Sequence, residues 1–266
     1  MRFVIVVIMM LFLESCAIFG PPTELDDTKG LSAERIYEKA SEKMTDRDYK
    51  KSIEYLKKLE SRYPNSKYGA QAKLDMAYAF YKQDDAAQCV SVAERFIKIH
   101  PNHPNLDYAY YLKGVAYFKQ RGLLEKATFQ DISDRDPKIL TQSFLAFKDL
   151  LTLFPGSRYA KDATERMIYL KNKLADHELH VARHYMKVKA YVAAINRAKY
   201  VIENYPDSSF VEESLVIIIS AYDNLGMNDL KEDNLRILKQ NYPNSSMFNV
   251  TKDIKKKDWW KFWDKD

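Results

Sequence analysis

The chain has 266 residues, 46% of them hydrophobic, with only 7 glycines and 9 prolines. That is enough apolar material for a sizeable buried interior and too few turn residues for a strand-rich fold, so helices are expected. A formal net charge of +5, spread along the chain, does not point to nucleic acid, and two cysteines, Cys16 and Cys89, exclude a disulfide scaffold.

The first element is an unbroken apolar run from Phe3 to Leu13, preceded by Met1-Arg2. As a helix it spans about 16 Å, too short for a bilayer but suited to an export signal. It ends in Leu13-Glu14-Ser15-Cys16, which resembles the bacterial lipobox and departs from it at Glu14, where a small neutral residue is usual. The resemblance implies a signal peptide over 1–15 and a lipid on Cys16. Acyl chains hold firmly because each buried CH₂ contributes ~0.8 kcal/mol. An ordinary signal peptide with Cys16 as bystander is the alternative reading. Ala17 stands where an Asp retains many lipoproteins in the inner membrane, so the outer membrane, on its periplasmic face, is the expected location. Residues 16–30, with Gly20, Pro21 and Pro22 and no hydrophobic period, read as a tether.

From there one phrase returns: Tyr63-Pro64-Asn65-Ser66, Phe154-Pro155-Gly156-Ser157, Tyr205-Pro206-Asp207-Ser208 and Tyr242-Pro243-Asn244-Ser245, with a weaker copy at His100-Pro101-Asn102. Pro64 and Pro101 are 37 residues apart, as are Pro206 and Pro243; the two intervals between are 54 and 51. Such periods signal stacked helix pairs. The aromatic residue is expected to close a helix inside the core, proline to stop it, and the Asn/Asp/Gly and Ser to turn the chain and cap the next helix. Upstream of each proline, apolar residues fall at helical spacing, as in Ile53, Leu56 and Leu59 or Ile195, Ala198, Val201 and Ile202. The first helix of a pair carries a small residue three before an aromatic: Ala77 and Phe80, Gly114 and Tyr117, Ala182 and Tyr185, with Ile219 breaking the rule in the last unit. The small residue allows close approach and the ring fills the space beside it. The pattern resembles the tetratricopeptide repeat. The expected fold is all-α, a solenoid of about five antiparallel helix pairs over 31–246, with a basic, Trp-rich tail over 247–266.

Helices are expected over 105–120 and 139–153, with an insertion between them containing Arg121-Gly122-Leu123-Leu124 and Asp131-Ile132-Ser133-Asp134-Arg135-Asp136-Pro137. Together with Pro101-Asn102-His103-Pro104-Asn105-Leu106-Asp107-Tyr108, Asp162-Ala163-Thr164-Glu165-Arg166 and Leu170-Lys171, it closely resembles the BamD family, the repeat lipoproteins of the outer-membrane β-barrel assembly machinery. The resemblance runs from the lipobox to about residue 246. It implies C-terminal repeats that bind a POTRA domain of the barrel-forming assembly protein, further lipoproteins in the same complex, and N-terminal repeats that receive the C-terminal signal of unfolded outer-membrane proteins. An extended strand ending in an aromatic residue suits a groove of rings and cations, for which Tyr63, Tyr68, Tyr78 and Tyr81 are the candidates, each also a natural core residue. The family's charge pair with the POTRA domain falls on Arg197, in Asn196-Arg197.

Other features look chemical. His177, His180 and His184 could share a helix face, but their spacing is not the His-Glu-x-x-His of zinc proteases, and no metal or other cofactor is expected. Cys89 occupies a small-residue position and is expected to pack. The tail carries Lys255-Lys256-Lys257 and all three tryptophans, Trp259, Trp260 and Trp263, which suit a membrane interface, a partner, or docking back onto the array. The expected function is a non-enzymatic assembly subunit, with a peptidoglycan-contacting structural or competence lipoprotein as the alternative and a metal enzyme as a third reading.

Overall fold

A computed structural model describes residues 26–128, 137–245 and Phe248, without the side chains of 120–128. The expected signal peptide over 1–15, Cys16, the insertion residues 129–136 and the three tryptophans lie outside the described residues.

Ten helices follow one another among the described residues: α1 (Ala33–Thr45), α2 (Tyr49–Arg62), α3 (Gly69–Lys82), α4 (Ala86–Ile99), α5 (Leu106–Thr128), α6 (Lys138–Leu153), α7 (Ala160–Lys187), α8 (Tyr191–Asn204), α9 (Val211–Leu225) and α10 (Asn228–Asn241). Each packs on the helix before and the helix after it, which makes five antiparallel pairs in a linear stack. None is long and apolar enough to cross a membrane.

The proline phrase sets the frame. Every second helix ends two residues before its proline: α2 at Arg62, α4 at Ile99, α6 at Leu153, α8 at Asn204 and α10 at Asn241. The residue in between still donates its N–H to the carbonyl four back, as Tyr63 does to Leu59 at 2.8 Å. Proline has no N–H to continue the ladder. A β-turn follows with proline at its second position: the N–H of Ser66, His103, Ser157, Ser208 and Ser245 donates to the carbonyl of Tyr63, His100, Phe154, Tyr205 and Tyr242, at 3.0–3.1 Å. Those residues in turn accept from Gly69, Leu106, Ala160, Val211 and Phe248.

Two local expectations are corrected. The serine does not cap the next helix: Ser157 and Ser208 Oγ accept from the N–H of Tyr159 and Phe210, two residues on, and those aromatics occupy the cap positions with no side-chain bond. The aromatic before proline is not deep in the core either; Tyr63 is exposed and His100, Phe154, Tyr205 and Tyr242 are half-buried. A ring at a helix end has the next turn on one side only.

Inside four of the five pairs the turn is set by one left-handed residue, at Arg47 (φ 61°), Asp84 (φ 64°), Lys189 (φ 62°) and Gly226 (φ 72°). Each stands seventeen residues before its proline. In the first two units an Asp then caps the second helix, Asp48 accepting from Lys51 N–H and Asp85 from Gln88 N–H.

The small residues do bring helices together. Ala77 and Ala182 are fully buried, and a Cβ on Gly114 would lie 2.5 Å from the ring of Phe147 across α5 and α6. Buried Ser143 donates from Oγ to the Gly114 carbonyl at 3.0 Å, as Ser52 does to that of Ala40 at 2.9 Å. Cys89, at the equivalent place in α4, is buried, and burial pushes its thiol up to about 12, so it packs as a small apolar group. Ile219 is also buried, in a terminal cluster with Leu215, Val216 and Leu238.

The lengthened units differ from expectation. α5 continues through Arg121-Gly122-Leu123-Leu124 to Thr128 instead of ending at 120. An interior glycine weakens a helix by only ~1 kcal/mol and need not stop it. The added residues of the fourth unit lengthen α7 to 28 residues. Before α1, Asp26–Thr28 are fastened to the body rather than free. Asp26 pairs with Lys58 and Arg62, Asp27 accepts from the Tyr55 hydroxyl, and the Thr28 carbonyl accepts from Arg62.

Candidate binding faces

The first helices of neighbouring units touch one another, α3 with α5 and α7 with α9, so the stack closes up on their side. Polar bridges join them there. Between α1 and α3, Tyr37 donates its hydroxyl to Asp75 Oδ2 at 2.7 Å, Gln71 donates to Oδ1 at 2.8 Å, and Tyr68 stacks on Tyr37 at 4.9 Å. Burial raises the Asp75 carboxyl above its ordinary 3.8, against the pull of those two donors.

The densest part lies between α5 and α7. Tyr159 stacks against Tyr108 at 5.3 Å and Tyr111 at 4.5 Å. Tyr111 donates to Asp162 Oδ2 at 2.8 Å, and Arg166 grips both oxygens of the same carboxylate at 2.6 and 3.1 Å. Those bonds, the Arg166 bond first, hold the Asp162 carboxyl below its ordinary value. Arg166 also lies 4.8 Å from the Phe118 ring centre, and Arg158 the same distance from that of Tyr159. Ser157 donates to Asp107 at 2.6 Å. Between α7 and α9, Arg183 holds Glu213 with two bonds at 2.6 and 2.8 Å. The result is a face of tyrosines and arginines whose polar atoms are pre-positioned by one another.

The phrases that carried the family resemblance therefore converge: Asp107-Tyr108 opens α5, Asp162 to Arg166 opens α7, and they meet through Ser157, Tyr111 and Tyr159. Tyr37, Asp75, Tyr111 and Tyr159 were not anticipated as site residues. The only trace in the sequence is the four-residue spacing of Asp162 and Arg166, which marks an ion pair on one helix face.

The four candidate tyrosines do not form one cluster. Tyr63 donates to the Leu31 carbonyl at 2.8 Å beside the first inter-unit turn. Tyr68 donates to Glu34 at 2.9 Å and carries Lys67 over its ring at 4.9 Å. Tyr78 meets Tyr49 edge-on at 6.4 Å. Tyr81 has Lys119 Nζ of α5 4.8 Å from its ring centre. Arg197 in α8 is half-exposed and donates Nη1 to Glu178 of α7 at 3.0 Å, with Glu178 largely buried. His177, His180 and His184 lie along α7, and among the described residues no group of three or more His, Cys, Asp or Glu could hold a metal ion.

Five helix pairs, proline turns between them and a ring-lined inner side define a tetratricopeptide-like repeat scaffold. The chain belongs to the YfiO family of outer membrane lipoproteins, whose model matches residues 29–247. It is 40% identical over 255 residues to outer membrane protein assembly factor BamD of Neisseria meningitidis serogroup A, covering 95% of this chain and 96% of the relative. With the protein of the same description from Vibrio cholerae it shares 35% over 225 residues, 84% and 93% of the two chains. Among solved structures, a crystal structure of MamA protein aligns over 85% of this chain and 98% of its own at 14% identity, with a TM-score of 0.35.

Proposed function

We propose that this protein is a non-enzymatic, lipid-anchored subunit that serves the assembly of β-barrel proteins into the outer membrane. The observation that carries the reading is the family match over the whole array, together with relatives described as outer membrane protein assembly factors. In this reading residues 1–15 are removed and Cys16 carries the lipid on the periplasmic face of the outer membrane. Nine residues lie between Cys16 and Asp26, ten chain steps with a reach of at most about 35 Å. Because Asp26–Thr28 are fastened to α2, the first unit stays within that reach of the membrane.

The inner face of rings and arginines takes the extended C-terminal segment of an unfolded client. Its terminal carboxylate meets Arg166 or Arg158 and its aromatic side chains meet Tyr81, Phe118 or Tyr159. The C-terminal units hold the POTRA domain of the barrel-forming protein, with Arg197 as the charged contact, and further lipoproteins of the complex dock alongside. Glu178 supports the Arg197 part: it fixes the guanidinium on the surface while leaving it half-exposed.

The test replaces Arg197 in the full chain and measures recovery of the barrel-forming protein from membranes in mild detergent. Arg197→Gln is cleaner than Arg197→Glu, which would set a second carboxylate against the largely buried Glu178. Recovery is expected to drop severalfold. Full recovery would remove Arg197 from the interface, and unchanged porin levels after depletion of the protein would overturn the assembly role itself.

A further inference from the structure

The second copy of the proline phrase is the weak one, and two of its departures are histidines. His100 stands where the other units have Tyr63, Phe154, Tyr205 and Tyr242, and His103 stands where they have Ser66, Ser157, Ser208 and Ser245. The backbone turn is unchanged: His103 donates its N–H to the His100 carbonyl at 3.1 Å, and Leu106 donates to that of His103 at 3.0 Å. The difference is that both side chains can take up a proton not far below neutral pH.

His103 makes the bond that serine makes elsewhere. In the third and fourth units Ser157 and Ser208 Oγ accept the N–H two residues on, from Tyr159 and Phe210, at 3.2 Å in each case. In the second unit His103 Nδ1 accepts the N–H of Asn105 at 3.1 Å. A hydroxyl oxygen keeps its lone pairs in mild acid. An imidazole accepts only through its unprotonated nitrogen, and once charged it donates from both. Acid therefore removes this bond from the second turn and leaves its counterparts intact.

His100 takes the place of the aromatic. Its ring centre lies 5.2 Å from that of the fully buried Phe96, which His103 meets edge-on at 5.1 Å; the two imidazoles are 6.4 Å apart. His100 Nε2 is buried without a hydrogen-bond partner. A proton there would be a buried donor with no acceptor. Burial first, then the almost wholly buried Lys73 of α3 and then His103, hold the His100 imidazole below its ordinary 6.5. The carboxylates around the turn are already engaged. Glu60 of α2 pairs with Lys73 at 3.4 Å and with Arg95 of α4 at 3.1 Å. Asp107 of α5 accepts from Ser157 at 2.6 Å and from the Tyr108 N–H at 2.7 Å. Lys98, in the last turn of α4, adds a further cation.

We propose that the α4–α5 turn is an acid-sensitive joint between the second and third units, held closed by neutral His100 and His103 and loosened when they are protonated. Asp107 and Tyr108 follow the turn directly, and they carry the Ser157 bond and the Tyr159 stack of the inner face. Loosening the joint therefore unseats that part of the face. Folded His100 takes up its proton less readily than an exposed imidazole. Each step in pH below the ordinary 6.5 thus favours the open joint, until the folded state takes the proton too. The other proline turns, built on Tyr or Phe and Ser, have no such response.

Amide hydrogen exchange on the full chain in mild detergent tests this between about pH 7 and about pH 5, after correction for the intrinsic pH dependence of exchange. Protection at His103, Asn105 and Leu106 is expected to fall severalfold. The matching amides of Ser157, Tyr159 and Ala160, and of Ser208, Phe210 and Val211, should keep theirs. The double change His100→Phe/His103→Ser gives the second turn the residues of the third, Phe154 and Ser157, and should abolish the fall. His103→Ser alone should leave the part that His100 contributes. Unchanged protection at the second turn, an equal fall at all three turns, or a fall that persists in the double variant would overturn the proposal. The imidazole signals of the unsubstituted chain give a check that needs no variant: His100 titrating at or above 6.5 would overturn it as well.

Discussion

Gly114 is where the array has least room. It lies inside α5, and a Cβ there would fall 2.5, 2.7 and 2.9 Å from three ring carbons of Phe147, a side chain with no exposed surface. The ring cannot swing aside without displacing its neighbours, because interiors are packed like crystals. Gly114→Ala therefore forces α5 and α6 apart, at a typical cost of ~1–3 kcal/mol for one methyl too many. The helix regains about 1 kcal/mol from the better propensity of alanine. The net is a destabilisation of roughly 1 kcal/mol, or about 2–4 °C in Tm for a domain of this size. Separation of the helices also lengthens the buried Ser143 bond to the Gly114 carbonyl, which adds to the loss. Thermal and urea unfolding followed by far-ultraviolet circular dichroism measure it. Phe147→Leu shortens the obstructing ring, so the double variant Gly114→Ala/Phe147→Leu should be less damaged than the sum of the two single changes. A Gly114→Ala variant as stable as the parent, or a cycle that is simply additive, would refute the close approach.

The left-handed turn positions make an opposed pair. Gly226→Ala meets no atom within 4 Å, so its effect comes from backbone conformation alone, and a loss of about 1 kcal/mol is expected. Lys189→Gly at the matching place should gain a few tenths to about 1 kcal/mol; equal signs for the two in urea midpoints would refute the shared turn geometry. Acid dependence gives a further test. The Asp162 carboxyl is lowered by Arg166 and Tyr111, so its stabilising contribution is present above the ordinary 3.8 and is lost as pH falls through its lower folded value. Asp162→Asn should cost stability near pH 7, and the gap to the parent should shrink as pH falls below 4. Asp75 runs the other way: its raised value favours the folded state below 3.8 and that contribution disappears as pH rises through the folded value, so Asp75→Asn should be neutral or mildly stabilising at pH 7. Thermal scans across pH that showed a constant gap for Asp162→Asn would refute the assignment.

Much of the fold could be read from the chain because its punctuation is local. A proline two residues past a helix end acts through its own missing N–H, whatever lies far away, and so five unit boundaries stood out. The end of α5 did not, because Gly122 suggests a break while the surrounding apolar and basic residues tolerate helix, and tertiary packing decides. The inner face was legible only in part. Arg166 and Asp162 are four apart and readable as a pair, but Tyr111 is 51 residues from Asp162 and Ser157 is 50 from Asp107. Which rings face inward depends on how the lengthened third and fourth units stack, and no period in the sequence encodes that. The four tyrosines chosen for the groove share a residue type and a region, yet each packs against a different neighbour.

The repeat frame also shows where such a scaffold is free to specialise. Thirteen and six residues before the first proline stand Lys51 and Lys58; before the last proline the same places hold Leu230 and Ile237, both exposed. These positions lie on the flank of the second helices, outside the turns and the buried stripe, so folding does not constrain their chemistry. In the first unit Lys58, with Arg62, is occupied by Asp26 from the segment that precedes α1. In the fourth and fifth units the flank instead shows Tyr200, Leu230 and Ile237. The buried positions meanwhile repeat faithfully, with Leu59 fully buried in α2 and Leu238 at the equivalent place in α10. One backbone solution thus carries a charged end that holds Asp26 and an end whose flank shows apolar side chains. That asymmetry gives the array a direction.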